Sequence, residues 1–249
     1  MECLLTIDQG NTTAKTVVFR GDEPVDVNRY DSLRLEYIEK IITHWTPSAI
    51  AYCAVNHIDA RLIESLRRFN GVEVMVVTHS TPLPCIVNYA TPHTLGLDRL
   101  CAAIGAATLF PKEAALVVDA GTAITLDVIN ADGAFCGGNI APGLKMRIKA
   151  LHEFTHALPD INPEGPVTTF GTDTETAIRA GVVGGIIAEI NHCADQANKI
   201  YGAKRIVITG GDADFIARHL NIENQTVEVA ETLTALGLKR IYLYNENNY

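Results

Sequence analysis

One local design occurs twice in this chain, and it limits the folds open to it. Leu4, Leu5 and Ile7 form an apolar run that ends in Asp8; Gly10, Asn11, Thr12 and Thr13 follow, and Val17, Val18 and Phe19 resume the run. About one small domain later, Leu116, Val117 and Val118 lead into Asp119, Gly121 and Thr122, and Ile124 to Ile129 return as a strand rich in β-branched residues. Each copy reads as a β-hairpin whose tip carries one carboxylate, one glycine and short polar side chains. Glycine there permits positive φ and lets a ligand approach the backbone. The first tip, with Lys15 close behind, suits a polyphosphate whose magnesium is held by Asp8 through water, because magnesium prefers oxygen ligands and keeps much of its hydration. Two such units opening two halves indicate an internal duplication.

The rest of the chain alternates strands with helices. After a turn at Gly21 to Pro24, an amphipathic helix is expected over Leu35–His44, a buried strand over Ala49–Val55, a helix capped by Asp59 and running to Phe69, and a strand over Glu73–Val77. This rhythm is that of an α/β sheet with helices on its faces. Thr78 to Gly96 is irregular and holds Pro82, Pro84 and Pro92, and a loop that long in a compact protein is usually functional. It ends at Leu95, Gly96, Leu97, Asp98 and Arg99, so Asp98 and Arg99 lie near the first turn of the alanine-rich helix over Leu100–Phe110.

In the second half, short strands over Leu116–Asp119, Ile124–Ile129 and Ala134–Gly137 lead to a glycine-rich turn from Gly137 to Gly143 and a helix from Leu144. Gly171 to Thr174 precede a long helix over Glu175–Ile200, whose centre, Gly181 to Gly185, is small enough for close packing against another backbone. A strand over Arg205–Thr209, a turn through Gly210 and Gly211 to Asp212, a helix over Ala213–His219, a strand over Thr226–Val229 and a helix over Leu233–Tyr244 complete the expectation. The division expected is 1–113 and 114–249.

Composition narrows the function. Of 249 residues, 47% are hydrophobic and 20% charged, which is globular rather than disordered. A formal charge of −9 gives no basic stripe for nucleic acid or an anionic membrane. Apolar runs such as Leu100–Phe110 fall short of a bilayer span, and Met1 and Glu2 lead straight into a strand without a basic leader. A cytoplasmic location is expected. Six cysteines without Cys-x-x-Cys spacing read as buried, reduced thiols. His152, Glu153 and His156 match a zinc-protease pattern, but Pro159 breaks the helix just afterwards and no third ligand is announced, so they read as surface histidines at a helix end.

Three glycine turns converge on a more specific reading. Asp8 to Thr13, Asp119 to Thr122 and Thr209 to Asp212 are ordered like the two phosphate loops and the adenosine loop of the actin-like, sugar-kinase and heat-shock ATPase superfamily. Asp8 to Thr12, Gly96 to Arg99, Asp119 to Ala123, Gly138 to Gly143 and Gly171 to Thr174 together resemble type III pantothenate kinase, in the right order and over nearly the whole chain. Thr155 to Pro159 is similar to another stretch of that family, with His156 standing where the family has alanine.

The resemblance implies two duplicated ribonuclease-H-like domains with the nucleotide cleft between them. It implies that Asp8, Gln9, Gly10, Asn11, Thr12, Thr13, Ala14 and Lys15 bind the phosphates of ATP, joined by Thr122. Asp119 would hold a monovalent cation, potassium or ammonium. Gly96, Leu97, Asp98 and Arg99 would bind pantothenate with Asp98 as proton acceptor, and Tyr89 and Thr174 would complete the substrate pocket. The implied activity is ATP-dependent phosphorylation of pantothenate to 4'-phosphopantothenate, the first step of coenzyme A biosynthesis, by a homodimer. The alternatives are a catalytically inactive relative acting as a regulatory accessory factor, such as the Bvg accessory factor, and a superfamily kinase for another small alcohol. The presence of Asp8, Asp98, Arg99 and Asp119 argues against the inactive relative.

Overall fold

A computed structural model describes residues 3–55 and 58–247; Met1 and Glu2, named above for the absence of a leader, lie outside the described residues. The chain divides into two compact units, one of Met1–Pro111, Gly133–Phe135 and Thr232–Tyr249, the other of Lys112–Asp132 and Cys136–Glu231.

The first unit is built on a five-stranded sheet. β1 (Cys3–Gln9) pairs antiparallel with β2 (Ala14–Arg20), which pairs with β3 (Glu23–Tyr30), while on its other side β1 runs parallel to β4 (Ala49–Ala54) and β4 parallel to β5 (Glu73–Val76). The order is β3-β2-β1-β4-β5. Leu5, Ile7, Val18, Ile50 and Tyr52 are fully buried in this sheet. The helix α1 (Leu35–Trp45) adds Ile38, Ile41 and Ile42 to the same core, and α2 (Ala60–Leu66) adds Leu62, Ile63 and Leu66. Burial of aliphatic side chains of this size contributes about 1.5–3 kcal/mol each, so the hairpin that ends in Asp8 rests on a rigid base. Asp59 caps α2 as expected, its carboxylate accepting from the backbone N–H groups of Arg61 and Leu62.

The second unit repeats the plan. β6 (Ala115–Ala120) pairs antiparallel with β7 (Ala123–Ile129) and parallel with β9 (Arg205–Thr209), which runs parallel to β10 (Thr226–Val229); β8 (Phe135–Pro142) lies outside β7. The order β10-β9-β6-β7-β8 is that of the first sheet with each strand replaced by its counterpart, so the duplication read from the two Asp-x-Gly hairpins extends to whole ribonuclease-H-like sheets. The helices are α4 (Leu144–Glu153), the 28-residue α5 (Thr174–Tyr201) and α6 (Ala213–His219). A capping box starts α5: Asp173 accepts from the Thr176 N–H, and Thr176 reaches back to the Asp173 backbone. These bonds also hold the Asp173 carboxyl below its ordinary pKa.

Three expectations are corrected. Glu23 and Pro24 open β3 rather than only closing a turn, because β2 offers an edge on which residues 23–30 complete their backbone hydrogen bonds. The glycine-rich stretch from Gly137 belongs largely to β8, which runs on to Pro142; Gly138 is required there because a side chain would strike the Asp127 carboxylate and the Leu126 carbonyl. Lastly, Thr232–Tyr249, placed with the second half by sequence order, belongs to the first unit. It forms α7 (Leu233–Glu246), which packs along α3 (Leu97–Leu109). The reason is steric: a Cβ on Gly237 would overlap the Cys101 carbonyl, and one on Gly105 would overlap the Leu233 carbonyl, so the two backbones touch.

All six cysteines are free; Cys3, Cys53 and Cys101 are buried and the other three partly so. Burial pushes the Cys85 thiol up to about 11. No helix among the described residues is long and apolar enough to cross a membrane.

Because Gly237 meets backbone rather than a movable side chain, Gly237→Ala should destabilise the first unit by about 1–3 kcal/mol or more. Urea unfolding should show a lowered midpoint, and an unchanged midpoint would contradict the contact.

Candidate active site

The first loop closes the β1–β2 hairpin. Asp8 faces Lys15 across the two strands and Gln9 faces Ala14, so both charged groups stand at the end of the ladder. The Gly10 N–H donates to the Thr13 carbonyl at 2.9 Å, and a Cβ on Gly10 would sit 3.1 Å from that oxygen. Asn11, Thr12 and Thr13 are exposed, whereas Ala14 is buried. Gln9 is tied back into the core: its Oε1 accepts from the Tyr52 hydroxyl at 2.5 Å. Burial holds the Tyr52 hydroxyl above its ordinary pKa.

The second loop has the same plan with tighter packing. Asp119 is the last residue but one of β6, the Gly121 N–H donates to the Ala123 carbonyl at 3.1 Å, and Thr122 is exposed. The start of α4 closes over it. The Gly143 N–H donates to the Thr122 carbonyl at 3.0 Å, and a Cβ on Gly143 would collide with the Gly121 and Thr122 carbonyls. From the other side comes the Gly210 turn, with φ +98; a Cβ there would lie 2.6 Å from the Asp119 carboxylate, while the Asp212 N–H donates to the Ala120 carbonyl. Gly121, Gly143 before α4 and the Gly210 turn, read separately from the sequence, therefore meet at Asp119 to Thr122.

Asp98 and Arg99 lie in the first turn of α3, with Gly96 as the residue before it. The Asp98 carboxylate accepts from the Arg99 backbone N–H at 2.8 Å. It folds back so closely over Gly96 that a Cβ there would overlap its Oδ1. One turn on, the Cys101 thiol is held well above its ordinary pKa, first by its hydrogen bond with Cys53, then by burial, and also by the carboxylates of Asp8 and Asp98. Cys53 lies beside Asp8 in the β1–β4 register. The two carboxylates singled out in the sequence, ninety positions apart, thus act on one buried sulfur.

Arg99 is 5% exposed. Its Cζ lies 5.9 Å from the centre of the Tyr89 ring and 5.8 Å from that of Phe135. Tyr89, in the long loop, is thereby brought to the Asp98–Arg99 turn, and a ring stacked on a guanidinium repays part of its desolvation. His79 ties the loop to the same turn through a 2.8 Å hydrogen bond to the Leu95 carbonyl. Phe135 was missed in the sequence; nothing in its local pattern separates it from a core phenylalanine. Thr174 is the first residue of α5 and is exposed, in the second unit beside a cavity of about 1040 Å³. His152 binds the Leu158 carbonyl at 2.8 Å where α4 ends, and no group of three or more metal-ligating side chains occurs among the described residues.

The family described as type III pantothenate kinase matches residues 4–196. A Phocaeicola vulgatus protein named as a type III pantothenate kinase is 38% identical over 245 residues, 97% of this chain and 98% of its own length. This chain belongs to the type III pantothenate kinases. Among solved structures, a Campylobacter jejuni protein described as a candidate transcriptional activator of the Baf family is 25% identical, with a TM-score of 0.65 over 98% of this chain and 99% of its own. A Listeria monocytogenes protein described as a candidate N-acetylmannosamine kinase is 14% identical, with a TM-score of 0.60 over 98% of this chain and 100% of its own, and shares the two-domain sugar-kinase fold. In a type III pantothenate kinase, the glycine before the Asp-Arg pair has a legible task here: it leaves room for the carboxylate.

Gly96→Ala should therefore shift the Asp98 carboxylate without breaking the core. The expected result is a turnover reduced at least about tenfold, toward the range lost when a general base is misplaced, with a melting temperature close to that of the parent. Unchanged turnover would show that the glycine does not set the carboxylate's position.

Proposed function

We propose that this chain transfers the γ-phosphoryl group of ATP to the primary hydroxyl of pantothenate, giving 4'-phosphopantothenate in the first step of coenzyme A biosynthesis. The observation that carries the reading is the Asp98–Arg99 turn, with its carboxylate folded over Gly96 and its guanidinium buried against Tyr89, in a chain of this family. A primary alcohol is a poor nucleophile near neutral pH, so Asp98 orients it and accepts its proton as the bond to phosphorus forms. Arg99, with a planar fork of donors, binds an oxygen of the substrate. Gly96, Leu97, Tyr89 and Thr174 complete the acceptor site in this reading.

Asp8, Gly10 and the exposed Asn11, Thr12 and Thr13 receive the ATP phosphates together with Lys15 and Thr122, and Gln9 and Ala14 fix the shape of the loop from below. Each loop supplies a single carboxylate rather than a cluster. That donor set fits a magnesium ion that arrives on ATP and keeps most of its water, with Asp8 as its protein partner. It also fits a monovalent cation at Asp119, pressed by the Gly210 turn in a loop that has no lysine of its own. Bound cations there supply charge neutralisation next to the phosphates.

In the same reading the enzyme is cytoplasmic and dimeric. The centre of α5 supports the dimer: Cβ atoms on Gly181 and Gly184 would meet nothing within 4 Å. The adjoining cavity is lined by Met146, Leu158 and Ile178, and Phe154 nearby is 86% exposed.

Asp98→Asn should retain the fold and lose on the order of 10²-fold or more in turnover, measured as ADP release over a panel of small alcohols that includes pantothenate. Parent enzyme that ignores pantothenate while phosphorylating another alcohol would overturn the substrate. Rates should rise when potassium or ammonium replaces sodium, and equal rates would remove the cation from Asp119. Light scattering should give twice the chain mass of 27.0 kDa, and a single chain mass at micromolar concentration would remove the dimer.

A further inference from the structure

Gln9 is the last residue of β1 and joins that strand to Gly10 and the first loop. Backbone and side chain are both tied to β4 and the residue that follows it: the Val55 N–H donates to the Gln9 carbonyl at 3.0 Å, and the Tyr52 hydroxyl donates to the Gln9 Oε1 at 2.5 Å. Alternation along β1 puts Gln9 on the face of Leu5 and Ile7, toward the core that contains Tyr52, and Asp8 on the opposite face. The tyrosine has a second tie, because the Asp59 backbone N–H hydrogen-bonds the same hydroxyl. Asp59 is the residue before α2, and its carboxylate already takes the N–H groups of Arg61 and Leu62. One residue thus caps α2 with its side chain and holds Tyr52 with its backbone.

A tyrosine hydroxyl has one proton to give. With the Asp59 N–H donated to its oxygen, that proton goes to Gln9, so the bond has a fixed direction and the Gln9 amide a fixed orientation. Gly10 follows at once, and glycine has the widest choice of φ and ψ, so the shape of the loop is imposed from its flank. A ligand that binds one loop shape loses apparent affinity in proportion to the fraction of molecules in other shapes. Tyr52 is fully buried, so its effect on a ligand passes through Gln9. We propose that Tyr52 is a positioning residue for ATP: anchored by the N-terminus of α2, it holds Gln9 and so the start of the first loop in the shape that receives the phosphates. This rests on the reading of the first loop as the phosphate site.

The test is steady-state kinetics on the full chain with Tyr52→Phe, which removes the hydroxyl and keeps the ring, Gln9→Met, which removes the acceptor, the double variant, and Lys15→Ala as a probe of the phosphate site. Lys15→Ala should raise KM for ATP. Tyr52→Phe and Gln9→Met should each raise it about three- to tenfold, the factor that one hydrogen bond is worth. KM for pantothenate and kcat should stay close to those of the parent, because bound ATP restores the loop. The double variant should match the single ones. Gln9 is only partly buried, so its variant reads the same bond should Tyr52→Phe fold poorly. If Lys15→Ala leaves KM for ATP unchanged, the first loop is not the phosphate site and the inference falls with that reading. If Lys15→Ala raises it but Gln9→Met, or a well-folded Tyr52→Phe, lowers only the melting temperature, the bond serves stability and the positioning role alone is overturned. Additive effects in the double variant would overturn it as well, since Tyr52 would then act by a route other than Gln9.

Discussion

Contact between the backbones of α3 and α7 is the constraint on which the first unit depends. Gly105 and Gly237 remove the side chains that would separate the helices, and the Cys101 and Leu233 carbonyls occupy the space. Once α3 is fixed in this way, its first turn has a defined place relative to the sheet, and Asp98, Arg99 and Cys101 follow. In the proposed reaction, a loop-borne carboxylate would lose the rigidity that a general base needs, since misplacement by an ångström is costly in rate. Here the carboxylate is carried by a helix clamped on one side and crowded by Gly96 on the other.

Around that turn, polar groups are held by unlike means. Gln9 is fixed by a hydrogen bond from a buried tyrosine, Asp98 by a backbone N–H, and Arg99 by two aromatic faces. An aromatic face attracts a buried guanidinium through its π cloud. Lys239 is held by hydrogen bonds and a ring together. Its ammonium, also buried, is consumed by the Gly21 carbonyl and the Asp22 carboxylate at 2.6 and 2.7 Å while lying 5.0 Å from the Phe19 ring centre. That lysine ties α7 to the β2–β3 turn.

The two sheets share one strand order, yet their loops are used differently. The first hairpin tip is open, with three exposed polar residues. The second is pressed by the start of α4 and by the Gly210 turn, so that glycine is required at 143 and 210 for steric reasons and at 210 also for its positive φ. A duplicated scaffold thus presents one tip for direct access and another with its carboxylate confined.

Much of this was legible in the residues. The Asp-x-Gly hairpins, the strand–helix alternation, the cap at Asp59 and the placing of Asp98 and Arg99 at a helix start all follow from local rules: apolar periodicity, turn chemistry and capping act within a few residues. The strand β3 was not legible, because Glu23 to Tyr30 has weak alternation and becomes a strand only by completing the edge of β2. The extension of β8 was hidden by Gly137 and Gly138, of which Gly138 serves close packing against Asp127 rather than a turn. Nor could sequence order assign Thr232–Tyr249 to the first unit or bring Phe135 beside Arg99. The sequence by itself determined the repeat, the chemistry available at each loop and the family. Only the tertiary structure decided which backbones touch, which rings enclose the arginine and which carboxylates share a neighbour, because those depend on steric fit between segments far apart in the chain.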